Sequence, residues 1–264
     1  MLELRNITKV FYSVGVEEPK VALDGINLKI EDGEFVTIIG GNGSGKSTLM
    51  NIICGAHKPD SGEIILDGID VTKINEDKRA KYLGRVFQDP CVGTATSMNV
   101  LENLEIAFRR GDKKHLRWGF RKEHKEIILE KVQNLGLGLE NRLEQKIGSL
   151  SGGQRQAITL LMATVKMPKL LLLDEHTAAL DPKTANVVLE LTESIVKENN
   201  LTTLMITHNM KDAIRYGNRL IMMNDGKIIF DVKGEEKKNL TIEELIKKFE
   251  KSGNDAAVTS DMVL

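Results

Sequence analysis

The sequence predicts an α/β fold with parallel strands, an antiparallel β portion at its start and an inserted α-helical subdomain. Three observations predict it. Short apolar runs at 35–39, 170–173 and 202–206 alternate with segments of helical spacing, which is the pattern of strand-crossover-strand units. Residues 40–48 read Gly-Gly-Asn-Gly-Ser-Gly-Lys-Ser-Thr, a complete G-x-x-x-x-G-K-[ST] phosphate loop placed between a strand and a helix. From about 89 to 165 the apolar spacing turns helical, broken by glycines at 136–138 and 148–153.

Residues 2–10 and 21–30 alternate around a polar connection at Glu17-Glu18-Pro19-Lys20, as a hairpin-like antiparallel edge would. Phe35 to Ile39 is a β-rich run, and Lys46 to Ile53 spaces Leu49, Ile52 and Ile53 as one helix face. Shorter strands are expected at 63–66 and 83–87. In the inserted region Val100, Leu104 and Ala107, then Ile127, Ile128, Val132 and Leu135, mark helices. Leu170 to Leu173 reads as a buried strand, Lys183 to Val196 as an amphipathic helix and Thr202 to Ile206 as another strand. Asp225-Gly226 joins Leu220–Met223 to Lys227–Asp231 as a two-residue hairpin turn. A short helix is expected over 241–249. The whole is read as one domain over 1–251, with 252–264 as a polar, frayed tail.

The 264 residues have 37 Lys and Arg against 38 Asp and Glu, a net charge of -1 that gives no global electrostatic case for a nucleic-acid or membrane partner. Cys54 and Cys91 are too few for a disulfide framework and fit a reducing cytosol. The first ten residues lack a secretory layout, and the longest clean apolar run falls far below the roughly eighteen residues a bilayer demands. If this protein acts on a membrane, another chain supplies the spans.

Chemistry concentrates in three places. In the loop Gly40, Gly41, Asn42, Gly43, Ser44, Gly45, Lys46, Ser47 and Thr48, glycines let backbone N–H groups converge on phosphate oxygens. Lys46 can reach the β and γ phosphates and Ser47 is placed to ligate Mg²⁺. Leu170-Leu171-Leu172-Leu173-Asp174-Glu175 puts two carboxylates at the carboxyl end of a buried strand, where open α/β sheets bind ligands. Asp174 suits Mg²⁺, through water, and Glu175 suits orienting or deprotonating a water that attacks the γ-phosphate. Alone, an apolar run before two acids is commonplace; beside a phosphate loop it is not. Leu150-Ser151-Gly152-Gly153-Gln154 precedes a second helical run and can present a serine hydroxyl and a helix N-terminus to an anion, or can be a plain N-cap.

With that pentapeptide the sequence resembles the ATP-binding cassette ATPases, whose signature it is, from about residue 2 to residue 250. The resemblance implies a P-loop, RecA-like core. It makes Gln88 the glutamine that touches Mg²⁺ and links core to helical subdomain, Asp181 an aspartate contacting the opposite subunit, and His208 the histidine that senses the γ-phosphate. Phe11 lines up with the aromatic that stacks on adenine, with Tyr12 as its alternative. Two copies would pack head to tail as a homodimer, each ATP lying between Lys46 of one and Ser151 to Gln154 and Asp181 of the other. The implied cofactors are ATP and Mg²⁺. The implied partners are separate transmembrane permease subunits, with room for an extracytoplasmic substrate-binding protein and none for nucleic acid; the place is cytoplasmic, peripheral on the inner face of the cell membrane.

Departures from the pattern are Gly41 for a frequent proline, and His176 and Ala178 for the usual Pro and Ser. The resulting Asp-Glu-His-Thr-Ala-Ala-Leu-Asp resembles a subgroup serving amino-acid-type importers. An exporter-type ATPase and a soluble iron-sulfur-assembly type stay open as alternatives. A small-molecule P-loop kinase gives no reason for the second glycine loop, Gln88 or His208. The basic stretch 109–125, with Trp118 and Phe120, reads as a solvated face or as a surface turned to a permease or anionic headgroups. His57, His115 and His124 read as surface residues, and Met222 and Met223 as core.

Overall fold

The computed structural model describes residues 1–12, 19–112 and 122–251. The chain divides into two compact units, Met1–Arg79 with the chain from Asn200, and Ala80–Asn199. In the first unit, β1 (Leu2–Phe11) and β2 (Lys20–Ile30) pair antiparallel, with Leu2 opposite Ile30 and Phe11 opposite Lys20. Period-two alternation, broken by register shifts on either side of Ile7, buries Leu2, Leu4 and Ile7 with Leu23, Ile26, Leu28 and Ile30. β3 (Phe35–Gly40) is buried at all six positions, so it shows no alternation, and it leads through the glycine loop into α1 (Lys46–Cys54). β4 (Ser61–Leu66) adds to β1 and β5 (Ile69–Asp70) to β4, giving the antiparallel sheet β2-β1-β4-β5.

The one-turn α2 (Glu76–Arg79) exists to deliver Arg79, whose side chain is wholly buried. Its guanidinium donates to the carbonyls of Ile52 (2.7 Å), Ile53 (2.9 Å), Ile74 (2.8 Å) and Thr72 (3.0 Å). Two of these are last-turn acceptors of α1, where a cation also meets the negative end of the helix dipole. Burial pulls this arginine's pKa below its usual range.

The second unit opens with β6 (Leu83–Val86) and continues into α3 (Val100–Phe108). Asn99 and Glu102 form a reciprocal capping box at the start of α3 (2.8 and 2.7 Å). After α4 (Lys122–Gln133) and two 3₁₀ turns comes α5 (Gly152–Thr164). These helices bury Val100, Leu104, Ile128, Val132, Leu139, Ile147 and Ile158 as one cluster. Arg110 closes the end of α5 by donating to Ala163 O (3.0 Å) and Lys166 O (2.6 Å). β7 (Leu170–Asp174) then pairs parallel with β6, Leu83 opposite Leu170 and Val86 opposite Leu173, and α6 (Pro182–Glu198) ends the unit. This compact unit is wider than the helical region 89–165, because it takes in both strands and α6.

Back in the first unit come β8 (Thr203–Ile206), α7 (Met210–Arg215), β9 (Arg219–Asn224) and β10 (Lys227–Lys233), followed by α8 (Glu235–Lys238) and α9 (Ile242–Lys251). β3 lies between β8 and β9 and is parallel to both, Ile38 facing Ile206 on one side and Ile221 on the other. β9 and β10 form the expected hairpin. Asp225 (φ 44°) and Gly226 (φ 73°) both take the left-handed conformation that a two-residue turn of this kind requires. Met222 and Met223 are fully buried, as read from the sequence. Lys237, almost without exposure, donates to the carbonyls of Ile214, Tyr216 and Gly217 (2.8, 2.7 and 3.1 Å), and burial pushes its pKa down to about 8.

Two surface readings need correction. His57 is half-buried, edge-on to Phe11 at 5.5 Å, and His124 stacks on Phe108 at 4.9 Å while its Nδ1 meets the buried Glu105 carboxylate at 2.9 Å. Both sit beside an aromatic ring, a juxtaposition with no local signal. His115, Trp118, Phe120 and the tail 252–264 lie outside the described residues. Among the described residues no helix is long and apolar enough to cross a membrane.

Candidate nucleotide site

The phosphate loop is shaped by close approach. A Cβ on Gly45 would stand 2.5 Å from Ala22 O, and its φ of 103° is one that side chains rarely adopt. Gly226 donates its N–H to Ser44 O (3.1 Å) and accepts from Asp24 N–H (3.0 Å), so the β9–β10 turn buttresses the loop. No side chain caps the first turn of α1, which leaves its N–H groups and positive dipole end for an anion. The Lys46 ammonium is buried and lies across the loop, donating to Gly40 O (2.7 Å) and Gly41 O (3.0 Å). Ser44 Oγ is buried against Gly40 without a hydrogen-bond partner among the described residues. An uncapped helix end, an orphaned buried hydroxyl and a lysine folded onto carbonyls suit a polyphosphate that would satisfy all three. Asn42, Gly43 and Ser47 are exposed at the loop's surface and Thr48 is half-buried.

In the same unit His208 follows β8, half-buried, on the segment that leads to Asp212, whose pKa burial raises. Phe11 ends β1, half-buried beneath the Lys9 ammonium at 5.5 Å, whereas Tyr12 is 81% exposed. The His57 edge contact gives Phe11 a fixed orientation that Tyr12 lacks.

The second unit carries the acidic strand end. Asp174 closes β7, half-buried, with Arg85 Nη2 on β6 at 3.1 Å from its carboxylate. Glu175 follows at φ 45°, a left-handed conformation that costs a glutamate about 1 kcal/mol or more and that clusters at working sites. Its carbonyl accepts from Ala178 N–H at 3.0 Å, which opens the turn toward Asp181. Asp181 in turn caps α6 by accepting from Thr184 N–H (3.1 Å), and the Thr184 side chain, with that N–H second, holds its carboxyl below the usual range. Gln88 lies exposed two residues past β6. Its neighbour Phe87 accepts at its carbonyl from Gln156 Nε2 (3.2 Å).

Ser151 is an N-cap: its Oγ accepts from Gln154 N–H, and Gln154 Oε1 accepts from Ser151 N–H, both at 3.3 Å. The N-cap reading of this segment is the one the structure shows, and in it Ser151 Oγ acts as an acceptor. Gly153 is buried because a Cβ there would stand 2.1 Å from Thr184 Cγ2. Ser151, Gly153 and Gln154 border a cleft of about 350 Å³ with Lys183 and Thr184. Arg155 holds the preceding turn through Gly148 O (2.9 Å) and Leu150 O (3.2 Å) and reaches Cys91 Sγ at 3.0 Å.

Sequence reasoning passed over Arg85 and Arg155. Arg85 had a signal, a lone charge inside the apolar run Leu83 to Phe87; Arg155 had none. Ser47 in the first unit, by its hydroxyl, and Gln88 and Asp174 in the second, by an amide oxygen and a carboxylate, each carry an oxygen donor of the kind Mg²⁺ takes.

The family model described as ABC transporter matches residues 23–178. This chain belongs to the ABC transporter ATP-binding family. As an ABC transporter ATPase subunit it couples ATP hydrolysis to transport. It is 51% identical over 251 residues, 95% of this chain and 99% of the other, to a tyrosine transport ATP-binding protein of Clostridioides difficile strain R20291. It is 33% identical to the ABC transporter ATP-binding protein YxdL of Bacillus subtilis strain 168, over 97% of this chain and 96% of that one. Among solved structures it is similar to the dimeric ATP-binding cassette MJ0796 in a post-hydrolysis state bound to ADP and Pi. The TM-score there is 0.75 and the identity 33%, over 88% of this chain and 98% of that one. The α/β architecture and P-loop core expected from the sequence are therefore those of an ABC cassette.

Proposed function

We propose that this ABC ATPase powers import of a small molecule of the amino-acid type, docked on separately encoded permease chains at the inner face of the cell membrane. The end-to-end 51% identity to a tyrosine transport ATP-binding protein carries this reading. Two copies close head to tail on two ATP molecules, Ser151, Gly152, Gly153, Gln154 and Asp181 of one facing the phosphate loop of the other. The capping box supports that role, because it holds the Ser151 hydroxyl at the positive end of α5.

Within each site, residues 40–48 bind the phosphates, Lys46 leaving its two carbonyl partners for the β and γ oxygens. Ser47, Gln88 and Asp174 would hold Mg²⁺, which would supply positive charge to offset that developing on the β and γ phosphates. Glu175 orients a water and takes its proton as the water oxygen bonds to the γ-phosphorus and the bond to the β-bridging oxygen breaks, giving ADP and phosphate. His208 holds the γ-phosphate, and Phe11 stacks on adenine.

The test uses the chain co-expressed with candidate permease chains and reconstituted in nanodiscs. Adding an amino-acid-loaded extracytoplasmic binding protein should raise ATP hydrolysis several-fold, about the scale of one well-placed transition-state interaction. Substitution Glu175→Gln should abolish that turnover while ATP still binds. Full turnover by Glu175→Gln would remove its role, and hydrolysis indifferent to every loaded binding protein would remove import.

A further inference from the structure

Arg85 is a charge in a strand that is otherwise apolar, and the register explains where it points. Arg85 sits opposite Leu172 in the parallel pair of β6 and β7, so Asp174, two residues on, shares its face. Arg85 Nη2 lies 3.1 Å from Asp174 Oδ2, both side chains largely withdrawn from water at 15% and 18% exposure. The guanidinium also lies over the Phe87 ring at 4.5 Å, and the Phe87 carbonyl is held by Gln156. One cation thus ties the end of β7 to the segment that carries Gln88.

We infer that Arg85 is a positioning residue that sets the metal requirement of this ATPase, its guanidinium sharing the Asp174 carboxylate with the divalent cation. This rests on the assignment of Asp174 to Mg²⁺ made above. A fixed positive charge on one carboxylate oxygen orients the other outward. It also lowers the attraction the carboxylate exerts on a dication, and does so strongly in a site partly shielded from water. The protein therefore gains a pre-set ligand and gives up some metal affinity.

The measurement is the affinity of a non-hydrolysable fluorescent ATP analogue for the full chain in EDTA and in saturating Mg²⁺. The ratio of the two dissociation constants reports how much the protein's own ligands add to metal binding. Substitution Arg85→Gln should raise that ratio about tenfold, the discounted effect of one nearby unit charge. Arg85→Met, which keeps a stem over Phe87, carries the same expectation should the glutamine chain not fold. Arg85→Lys should hold the ratio to within about twofold, since it keeps the charge while losing the planar fork. An unchanged ratio in the neutral variants overturns the inference, and so does an equal rise in Arg85→Lys, which would make the role one of shape. Failure of the analogue to bind wild-type protein in either buffer would instead strike the nucleotide-site assignment itself.

Discussion

His176 offers a sharp test of the second unit, because its position after Glu175 makes its burial a condition of the acidic turn. The imidazole is 2% exposed, and its Nε2 lies 3.1 Å from Thr192 Oγ1, which itself donates to Val188 O at 2.7 Å. With its proton committed to that carbonyl, the threonine oxygen accepts, so His176 is assigned as the neutral Nε2–H tautomer. Burial pushes its pKa down from 6.5 to about 4. A folded pKa below the unfolded one means that the unfolded chain binds the extra proton between those values. The contribution is then fully present above pH 6.5 and is lost as pH falls toward 4. Linkage gives a loss of about 1 kcal/mol at pH 5.5 and roughly 2–3 kcal/mol at pH 4.5. Carboxylates titrate over the same range, so the quantity to measure is a difference. Urea unfolding of wild type and of His176→Gln, which keeps a donor for Thr192 without a titrating group, should give stability gaps that widen by those amounts between pH 7.5 and 4.5. Parallel stability curves, or an NMR titration of the His176 ring above pH 6, would refute the reasoning.

Three further outcomes are expected. Mixing Lys46→Ala chains with Ser151→Ala chains should restore hydrolysis to a fraction of wild type, because one interface of each heterodimer keeps both an intact Lys46 and an intact Ser151; stopped-flow phosphate release would read it, and no recovery by folded, dimerising chains would exclude the trans geometry. Gly45→Ala should destabilise the fold by about 2 kcal/mol or more and weaken nucleotide binding, since its Cβ would overlap Ala22 O in a left-handed backbone. Arg79→Met should cost about 3–5 kcal/mol in urea unfolding, leaving the last-turn carbonyls of α1 without their buried donor.

Most of the core was legible because its signals are local. The strand at 35–39, the glycine loop, the apolar run ending in Asp174 and the Asp225-Gly226 turn each declare themselves within a few residues. The structure puts elements at each of them. α3 was found by its spacing, and its capping box was legible too, in Asn99 and Glu102, but went unread. What the sequence could not give were partners distant along the chain. Nothing near Arg79 announces that it closes α1 from more than twenty positions away, and nothing near His124 announces Glu105. Among the candidate site residues, chemistry was legible from type and spacing. Backbone state was not: Glu175 shows no turn residue, yet takes the left-handed conformation. Ser151 admits two readings from its sequence because an N-cap and an anion donor demand the same side chain at the same place.

The hairpin turn that buttresses the phosphate loop has a consequence for biogenesis. The loop leaves the ribosome early, but Gly226, which donates to Ser44 O of the loop and accepts from Asp24 N–H of β2, and β9, which flanks β3, are made only in the last fifth of the chain. A nascent polypeptide therefore holds a nucleotide-binding sequence for most of its synthesis without the walls that shape it. The loop's full set of supports is therefore present only near the end of translation.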